Sequence, residues 1–343
     1  MIEYGFEIFH DFSDDLKPHW DNLYKKGGHY NLSFNWCQIW YKNFPKNKKP
    51  YIITFWQDKE LLMLAPFYLK NNRLSLIGTK PDMYDEFGIL CNDVKIMDKL
   101  TNYILQQGFE MNFKHINAES ILAKKIINKI AAYGIAKNSG VSETELVLTE
   151  SFSTERIVKS DIRRCKKHLF DDLKAEYIFE FAAEKNEKII DELIKFHKFR
   201  WNGGMLEKKA GLENFVREIT LNNDDLIISR LSISTTNETA AYCIGYINKK
   251  DESSTTYNAS IATYNANFKK YAPGKILYFE LITSAFQKGI TKFGFGRGSE
   301  PYKRNFASDE QILFNLETYN NSKIFTKVKK LNDKLLRLIF NKR

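Results

Sequence analysis

Apolar residues set the shape of the first segment. Trp20, Leu23 and Tyr24 recur at helical spacing, as do Phe34, Trp36, Ile39, Trp40 and Phe44. Residues 13–44 therefore read as helical, until Pro45 and the lysines after it break the pattern. The period then changes. Tyr51–Trp56 and Leu61–Leu69 read as two strands around a turn at Gln57-Asp58-Lys59-Glu60, and Leu74–Gly78 as a third short strand. Ile96–Gln107 reads as a helix, Leu122–Tyr133 as another that stops at Gly134, and Glu145–Leu148 as a strand. Residues 155–174 place Arg156, Lys159, Arg163, Arg164, Lys166, Lys167 and Lys174 on a helix that begins near Ser160 or Asp161, either of which suits a cap. A further helix covers 184–201, with Ile189, Leu193, Phe196 and Arg200-Trp201 on related faces.

The second half repeats this order. Leu226–Ser232 and Ala240–Ile247 read as strands around a turn at Thr235-Thr236-Asn237-Glu238, and Thr255–Ile261 as another strand. Gly274–Lys288 is a helix closed by Gly289, and Lys292–Phe295 a strand. A helix-rich entry, a β-meander and a strand–helix–strand unit thus occur twice, which predicts tandem copies of one α/β (α+β) fold with a boundary near 149–160. The tail, 322–343, reads as a basic amphipathic helix with Ile324, Val328, Leu331, Leu335 and Leu338 on one face. It either docks on its own domain or makes peripheral contact with an anionic membrane surface.

Composition narrows the class. A chain of 343 residues with 43% hydrophobic and 14% aromatic residues can build cores for two domains. The four cysteines, Cys37, Cys91, Cys165 and Cys243, are scattered, with no metal-binding pair, so buried or inert thiols in a reducing compartment are expected. Met1–Glu7 has neither a basic start nor a long apolar run, and no window is long and apolar enough to span a bilayer. A cytoplasmic location is expected, with the inner face of the membrane as the other place the tail allows. The net charge of +10 favours an anionic partner: a nucleotide-containing cofactor, a phosphorylated substrate, an acidic carrier protein, nucleic acid or a lipid surface.

One segment points to such a partner. Tyr271-Ala272-Pro273-Gly274-Lys275-Ile276 reads as a tight turn into a helix, and Phe295-Gly296-Arg297-Gly298 as a strand end followed by Ser299-Glu300-Pro301-Tyr302-Lys303. The first turn of a helix leaves N–H groups unpaired at the positive end of its dipole, a seat for a phosphate or diphosphate. Pro273 suits the first helical position, and Gly274 lets a ligand approach the backbone. Lys269, Lys270 and Lys275 add charge nearby. An ordinary helix start reads the same way.

The order of motifs resembles the GNAT-superfamily acyltransferases of the BioF2-like (CelD-like) group, related to the FemAB tandem-GNAT proteins. Phe34-Asn35-Trp36-Cys37-Gln38-Ile39-Trp40 is similar to that family's early aromatic helix, and Leu64-Ala65-Pro66-Phe67-Tyr68-Leu69 to its second strand. Leu76-Ile77-Gly78 followed by Asp82-Met83-Tyr84-Asp85 resembles its glycine strand and acidic loop, and Arg163-Arg164-Cys165-Lys166-Lys167 its basic segment. His197-Lys198-Phe199-Arg200-Trp201 resembles its "HxxRW" helix end, Tyr271–Lys275 its "SPGK" cofactor turn, and Glu300-Pro301-Tyr302-Lys303-Arg304 its "EPYK" end. Ala272 departs from the serine of many relatives. The resemblance implies a degenerate GNAT-like domain over 1–150 and an acyl-CoA-binding one over 151–321, each a mixed, mostly antiparallel sheet flanked by helices.

It also implies acetyl-CoA or another acyl-CoA as cofactor, no metal, and work in surface-polysaccharide pathways. The cofactor set is then Lys270, Tyr271, Ala272, Pro273, Gly274, Lys275 and Ile276, with Asn258, Ala259 and Ser260 on a splayed strand that pairs with the pantetheine arm. Tyr302 is the candidate general acid, since a phenol can donate to a leaving thiolate. Asp85, Glu86 and His197 are candidate bases, with Asp82 a weaker one; loop acids also form turns, and a helical histidine also packs. Tyr84, Arg200, Trp201, Arg297 and Lys303 are candidate substrate contacts, Arg297 through bidentate pairing with a carboxylate or phosphate. The basic run Arg163–Lys167 is a solvated face, a contact for an anionic acceptor, or a surface for an acyl carrier protein.

The leading expectation is an acyl-CoA-dependent N-acyltransferase acting on a small-molecule amine such as an amino sugar. An aminoacyl-tRNA-dependent FemX-like peptidoglycan transferase is the alternative, although the long charged helical hairpin such relatives carry is not visible. A non-enzymatic nucleic-acid or membrane-surface binder is the third. No zinc, helix-turn-helix or RNA-binding aromatic motif is visible, so nucleic acid is not the expected partner.

Overall fold

The computed structural model describes residues 4–79, 86, 88–91, 93–117, 141–148, 156–201, 204–249, 254–298, 303, 306 and 309–318. The strands are β1 (Tyr4–Phe9), β2 (Lys49–Gln57), β3 (Glu60–Lys70), β4 (Arg73–Leu76), β5 (Leu90–Cys91), β6 (Glu110–Asn117), β7 (Val141–Val147), β8 (Tyr177–Ala183), β9 (Leu226–Ile233), β10 (Thr239–Lys249), β11 (Thr255–Tyr264), β12 (Lys292–Arg297) and β13 (Asp309–Glu317). The helices are α1 (Leu16–Tyr24), α2 (Phe34–Asn43), α3 (Val94–Gln106), α4 (Arg156–Leu173), α5 (Glu187–Arg200), α6 (Met205–Lys208), α7 (Leu212–Asn222) and α8 (Pro273–Gln287).

The same β-meander and helical return occur in each half. In the first, β2, β3 and β4 run antiparallel, α3 crosses, and β6 returns parallel to β4 through Arg73–Glu110, Leu74–Met111 and Ser75–Asn112. In the second, β9, β10 and β11 run antiparallel, α8 crosses, and β12 returns parallel to β11 through Thr256–Lys292, Tyr257–Phe293 and Asn258–Gly294. β13 enters between β6 and β7, and β7 pairs with β12 on its far side. The two mixed sheets therefore join edge to edge as one 13-stranded sheet, running β1-β2-β3-β4-β6-β13-β7-β12-β11-β10-β9-β8 with β5 on β3.

Some expectations need correction. The run read as helical over 13–44 is two helices, because Gly27 takes a positive φ of 122° and the chain turns through Gly27-Gly28 and a short 3-10 turn before Ser33 caps α2. Ser160 and Asp161 lie inside α4, which starts at Arg156, so neither caps it. Asp161 instead bridges Arg164 and Lys275. The helix expected over Leu122–Tyr133, the segment 149–155 and the tail 322–343 lie outside the described residues.

One apolar cluster spans both halves. Phe215 of α7 meets Trp36 of α2 edge-on at 5.6 Å and Phe44 at 5.7 Å, while Tyr30 stacks on Tyr246 of β10 at 3.7 Å. A second cluster fills the opposite face of the second half, where α8 places Ile276, Leu277, Leu281 and Ile282 against Tyr257 and Phe293. Because the halves share a core, a single unfolding transition is expected in calorimetry. Phe215→Ala is expected to lower stability by about 3–5 kcal/mol in urea titration. Two separable transitions would contradict the shared core.

Candidate active site

β11 and β12 hold together for three residue pairs and then part. Beyond Asn258–Gly294 no pairing joins them, although β11 continues to Tyr264 and β12 to Arg297. Local sequence enforces the split. Side-chain Cβ atoms are excluded at Gly294, which lies against the Asn258 carboxamide, and are tight at Gly296, where one would sit 3.2 Å from the Ala259 carbonyl. Gly296 has a φ of 70°, a conformation that turns the strand and suits glycine. On the other side of β11 the register slips: Ile244 faces Ile261 and Gly245 faces Ala259, so Ser260 bulges out and is exposed.

The result is a cavity of about 270 Å³ that passes through the sheet. Ala259, Ser260, Ile261 and Ala262 line it from β11; Phe295, Gly296 and Arg297 from β12; Tyr278 from α8; and His197, Arg200 and Trp201 from the end of α5. Its walls on the α7 side are Leu206, Phe215, Val216, Ile219 and Thr220, and the first half adds Tyr30 and Trp36.

At the far end of β11 a 3-10 turn (Ala266–Tyr271) leads into α8. Ala272 joins them in the left-handed region, φ 54° and ψ 48°, where a side chain costs about 1–2 kcal/mol. Lys275 and Ile276 both direct their N–H to the Ala272 carbonyl. Gly274, as the second residue of the helix, has no intrahelical acceptor for its amide. A Cβ built there would meet only Tyr264, at 3.5 Å, so the approach is open. The flanking lysines are less free than their spacing implied. Lys275 pairs with Asp161, and Lys270 with Asp172 at 2.7 Å, both aspartates on α4. Tyr271 also donates to Asp172, at 3.1 Å. Tyr271, Pro273 and Ile276 are buried, so Ala272, Gly274 and Lys275 are the partly exposed positions of this turn.

Three cations shape the cavity. Arg200 donates to the Ala262 carbonyl at 3.0 Å on the free edge of β11, and its guanidinium lies 4.9 Å from the Trp201 ring and 4.8 Å from that of Tyr264. Lys303 is 2% exposed and donates to the carbonyls of Gly296, Arg297 and Gly298 at 3.1, 2.7 and 3.3 Å. It ties down the turn after β12 from inside. Arg297 donates to His115 Nε2 at 2.7 Å, so this ring nitrogen accepts and the His115 proton sits on Nδ1. Burial, and secondarily Arg200, lowers the His197 pKa to about 4. The ring is therefore neutral at pH 7, and its Nδ1 is buried with no hydrogen-bond partner.

Of the residues singled out in the sequence, the structure brings His197, Arg200, Trp201, Ala259, Ser260, Arg297 and Lys303 to one cavity. Asn258 is buried at the apex, paired with Gly294. Glu86 lines a separate cavity of about 180 Å³ with Lys26 and His29. Asp82, Tyr84, Asp85 and Tyr302 lie outside the described residues. Tyr278, Ile244 and the α7 wall were not singled out, because their apolar spacing is that of any core. Among the described residues no group of three or more His, Cys, Asp or Glu is arranged to hold a metal, and no helix is long and apolar enough to cross a membrane.

The depressed His197 pKa makes stability pH-dependent. The unfolded imidazole takes up a proton near 6.5 and the folded one only near 4, so the unfolded state binds more protons between those values. Stability is full above the upper value and falls as pH drops toward the lower. His197→Asn is expected to flatten this part of the curve in urea titrations; an unchanged slope contradicts the assignment. Lys303→Met is expected to cost about 1.5–3 kcal/mol for each charge-assisted bond that is not replaced, read as a lower denaturation midpoint.

Comparison with known proteins agrees with this geometry. Residues 156–304 match the model of the acetyltransferase (GNAT) domain. FemX superposes with a TM-score of 0.59 at 11% identity, covering 92% of this chain and 98% of that one. A conserved protein of unknown function from Bacteroides thetaiotaomicron superposes with a TM-score of 0.55 at 9% identity, covering 92% and 100%. A tandem GNAT protein from the clavulanic acid biosynthesis pathway covers 92% and 98% at 8% identity, with a TM-score of 0.45. Among curated protein sequences nothing matches. Residues 156–304 are thus similar to a GNAT acetyltransferase domain, and the chain as a whole has the α/β fold of FemX.

Proposed function

We propose that this protein is an acyl-CoA-dependent N-acyltransferase that acts on a small primary amine, an amino sugar or nucleotide-linked sugar of surface-polysaccharide synthesis, in the cytoplasm. The carrying observation is the unpaired edge of β11, facing a cavity that Tyr278 of α8 also lines; the turn Tyr271–Ile276 does not line it. The residues present fit a CoA thioester. Gly274 offers an approachable amide at a positive helix end, the splay leaves the backbone groups of residues 259–264 that face away from β10, apart from the Ala262 carbonyl that Arg200 occupies, for an arm rich in amide groups, and Gly296 keeps the passage narrow but open.

Acyl-CoA, when bound, supplies an electrophilic thioester carbonyl. The chain's own groups then have separable tasks. Neutral His197, a weak base at its lowered pKa, accepts a hydrogen bond from the attacking amine, whose proton passes on to solvent as the C–N bond forms and the C–S bond breaks. A backbone N–H on the free edge of β11 donates to the oxygen that gains charge, a contribution of about 2.7–4 kcal/mol where such donors have been removed in other enzymes. Tyr302, outside the described residues, is assigned the proton for the departing sulfur. Arg200 and Trp201 wall the mouth on the acceptor side, and their planar groups suit a sugar or nucleotide. In this reading residues 1–150 and 151–321 are the two units, the second holding the cofactor.

The likeness of fold to FemX favours a second reading, an aminoacyl-tRNA-dependent transferase. Thermal denaturation separates the two. CoA or acetyl-CoA at a hundredfold excess over its Kd is expected to stabilise the protein by about 2.7 kcal/mol, seen as a raised Tm, whereas tRNA is not. Gly274→Asp, which sets a carboxylate at the anion seat, is expected to weaken CoA at least about tenfold. A Tm indifferent to CoA and raised by aminoacyl-tRNA would favour the second reading.

A further inference from the structure

The walls of the cavity are divided by chemistry. His197, Arg200, Ser260, Arg297 and Lys303 cluster where β11 and β12 part. Past the bulge, on the face covered by α7, the lining is apolar: Tyr30, Trp36, Phe215, Val216, Ile219 and Ile244, each at most 5% exposed. Ile244 pairs directly with Ile261, next to Ser260, so this apolar end begins where the bulged amide sits. Two of its walls come from the first half. Trp36 is fixed by its edge-on contact with Phe215, and Tyr30 by stacking on Tyr246.

We infer that this end of the cavity is an acyl-chain pocket, and that the donor carries a medium-length aliphatic acyl group rather than acetyl. The inference rests on the acyltransferase reading and specifies its donor. A thioester carbonyl held on the free edge of β11 beside the bulge directs its acyl carbons through the split in the sheet, away from the helix end proposed to seat the diphosphate. A two-carbon group stops at the bulge and leaves the apolar end empty. Empty apolar space costs stability, and such cavities stay dry until an apolar group fills them. The rigid aromatic walls from the first half set the depth of the pocket, so chain-length selectivity comes from the half that does not hold the cofactor. The acceptor enters on the other side of the thioester, where His197, Arg200 and Trp201 stand.

The test uses the full chain and measures Kd by calorimetry for CoA, acetyl-CoA, hexanoyl-CoA and decanoyl-CoA. Hexanoyl-CoA is expected to bind at least about tenfold tighter than acetyl-CoA, since each buried methylene contributes severalfold. Val216→Phe, which fills the pocket from α7, is expected to lower the hexanoyl-to-acetyl ratio at least about tenfold. If that variant does not fold, Ile219→Phe makes the same change from the next turn, and the wild-type chain-length profile stands by itself. CoA binding with a flat profile overturns the acyl pocket and leaves the acyltransferase reading intact. A flat donor profile with an apolar acceptor moiety whose affinity Val216→Phe reduces assigns the space to the acceptor, and also overturns the proposal. Failure of CoA itself to bind overturns both.

Discussion

A strand edge left without its neighbour organises this molecule. In a sheet interior, backbone N–H and C=O groups that lose their partner strand carry a penalty unless something else satisfies them. Here β11 and β12 forgo pairing after three residues, and several features hold that arrangement open. Asn258 wedges against Gly294 at the apex. The Ser260 bulge bends β11 from one side, and Gly296 bends β12 from the other. Lys303 fastens the turn after β12 through three carbonyls, while Arg200 satisfies one carbonyl of the free edge. The remaining edge is the hydrogen-bonding template on which the proposed reading rests, and α8 starts just after the 3-10 turn that follows β11.

The two halves use this device differently. Counted from the first parallel pair of each, Glu110 corresponds to Lys292, Asn112 to Gly294 and His115 to Arg297. The first half therefore has an asparagine where the second needs glycine, and its Phe113 stacks on Phe67 in the core at 5.3 Å. The equivalent residues His115 and Arg297 meet at 2.7 Å, which couples the end of one return strand to the end of the other. Relieved of opening its own sheet, the first half supplies walls: Tyr30 and Trp36 reach the cavity of the second.

Much of this was legible in the chain, and the gaps have physical causes. The meander strands, α3, α5 and α8 stood out because each pairs a clear apolar period with a turn or cap. β6 did not: its buried positions include Asn112 and His115, which break the apolar alternation. β8 and β13 were missed because an edge strand and a strand inserted between distant partners take their stability from pairing. α7 places Val216, Ile219 and Thr220, of weak helical preference, on its buried face, and its core contacts override that preference. At the site, Pro273-Gly274 marked the helix start, and His197 and Arg200 were found by motif. Pairing of Lys275 with Asp161 across 114 residues, or of Lys270 with Asp172 across 98, has no local signature, so the turn appeared more positive than it is. The apolar wall was invisible for a different reason: a residue lining a cavity and one filling a core have the same spacing.

The central claim is that the free edge of β11 is a ligand-binding strand. Hydrogen–deuterium exchange with and without CoA addresses it directly, because amides that gain a partner exchange more slowly. The account predicts that CoA protects peptides covering 258–264 and 272–277, with little change at the equivalent first-half strands β4 and β6. Binding of CoA that leaves the 258–264 amides exchanging as before, with protection elsewhere, would contradict it.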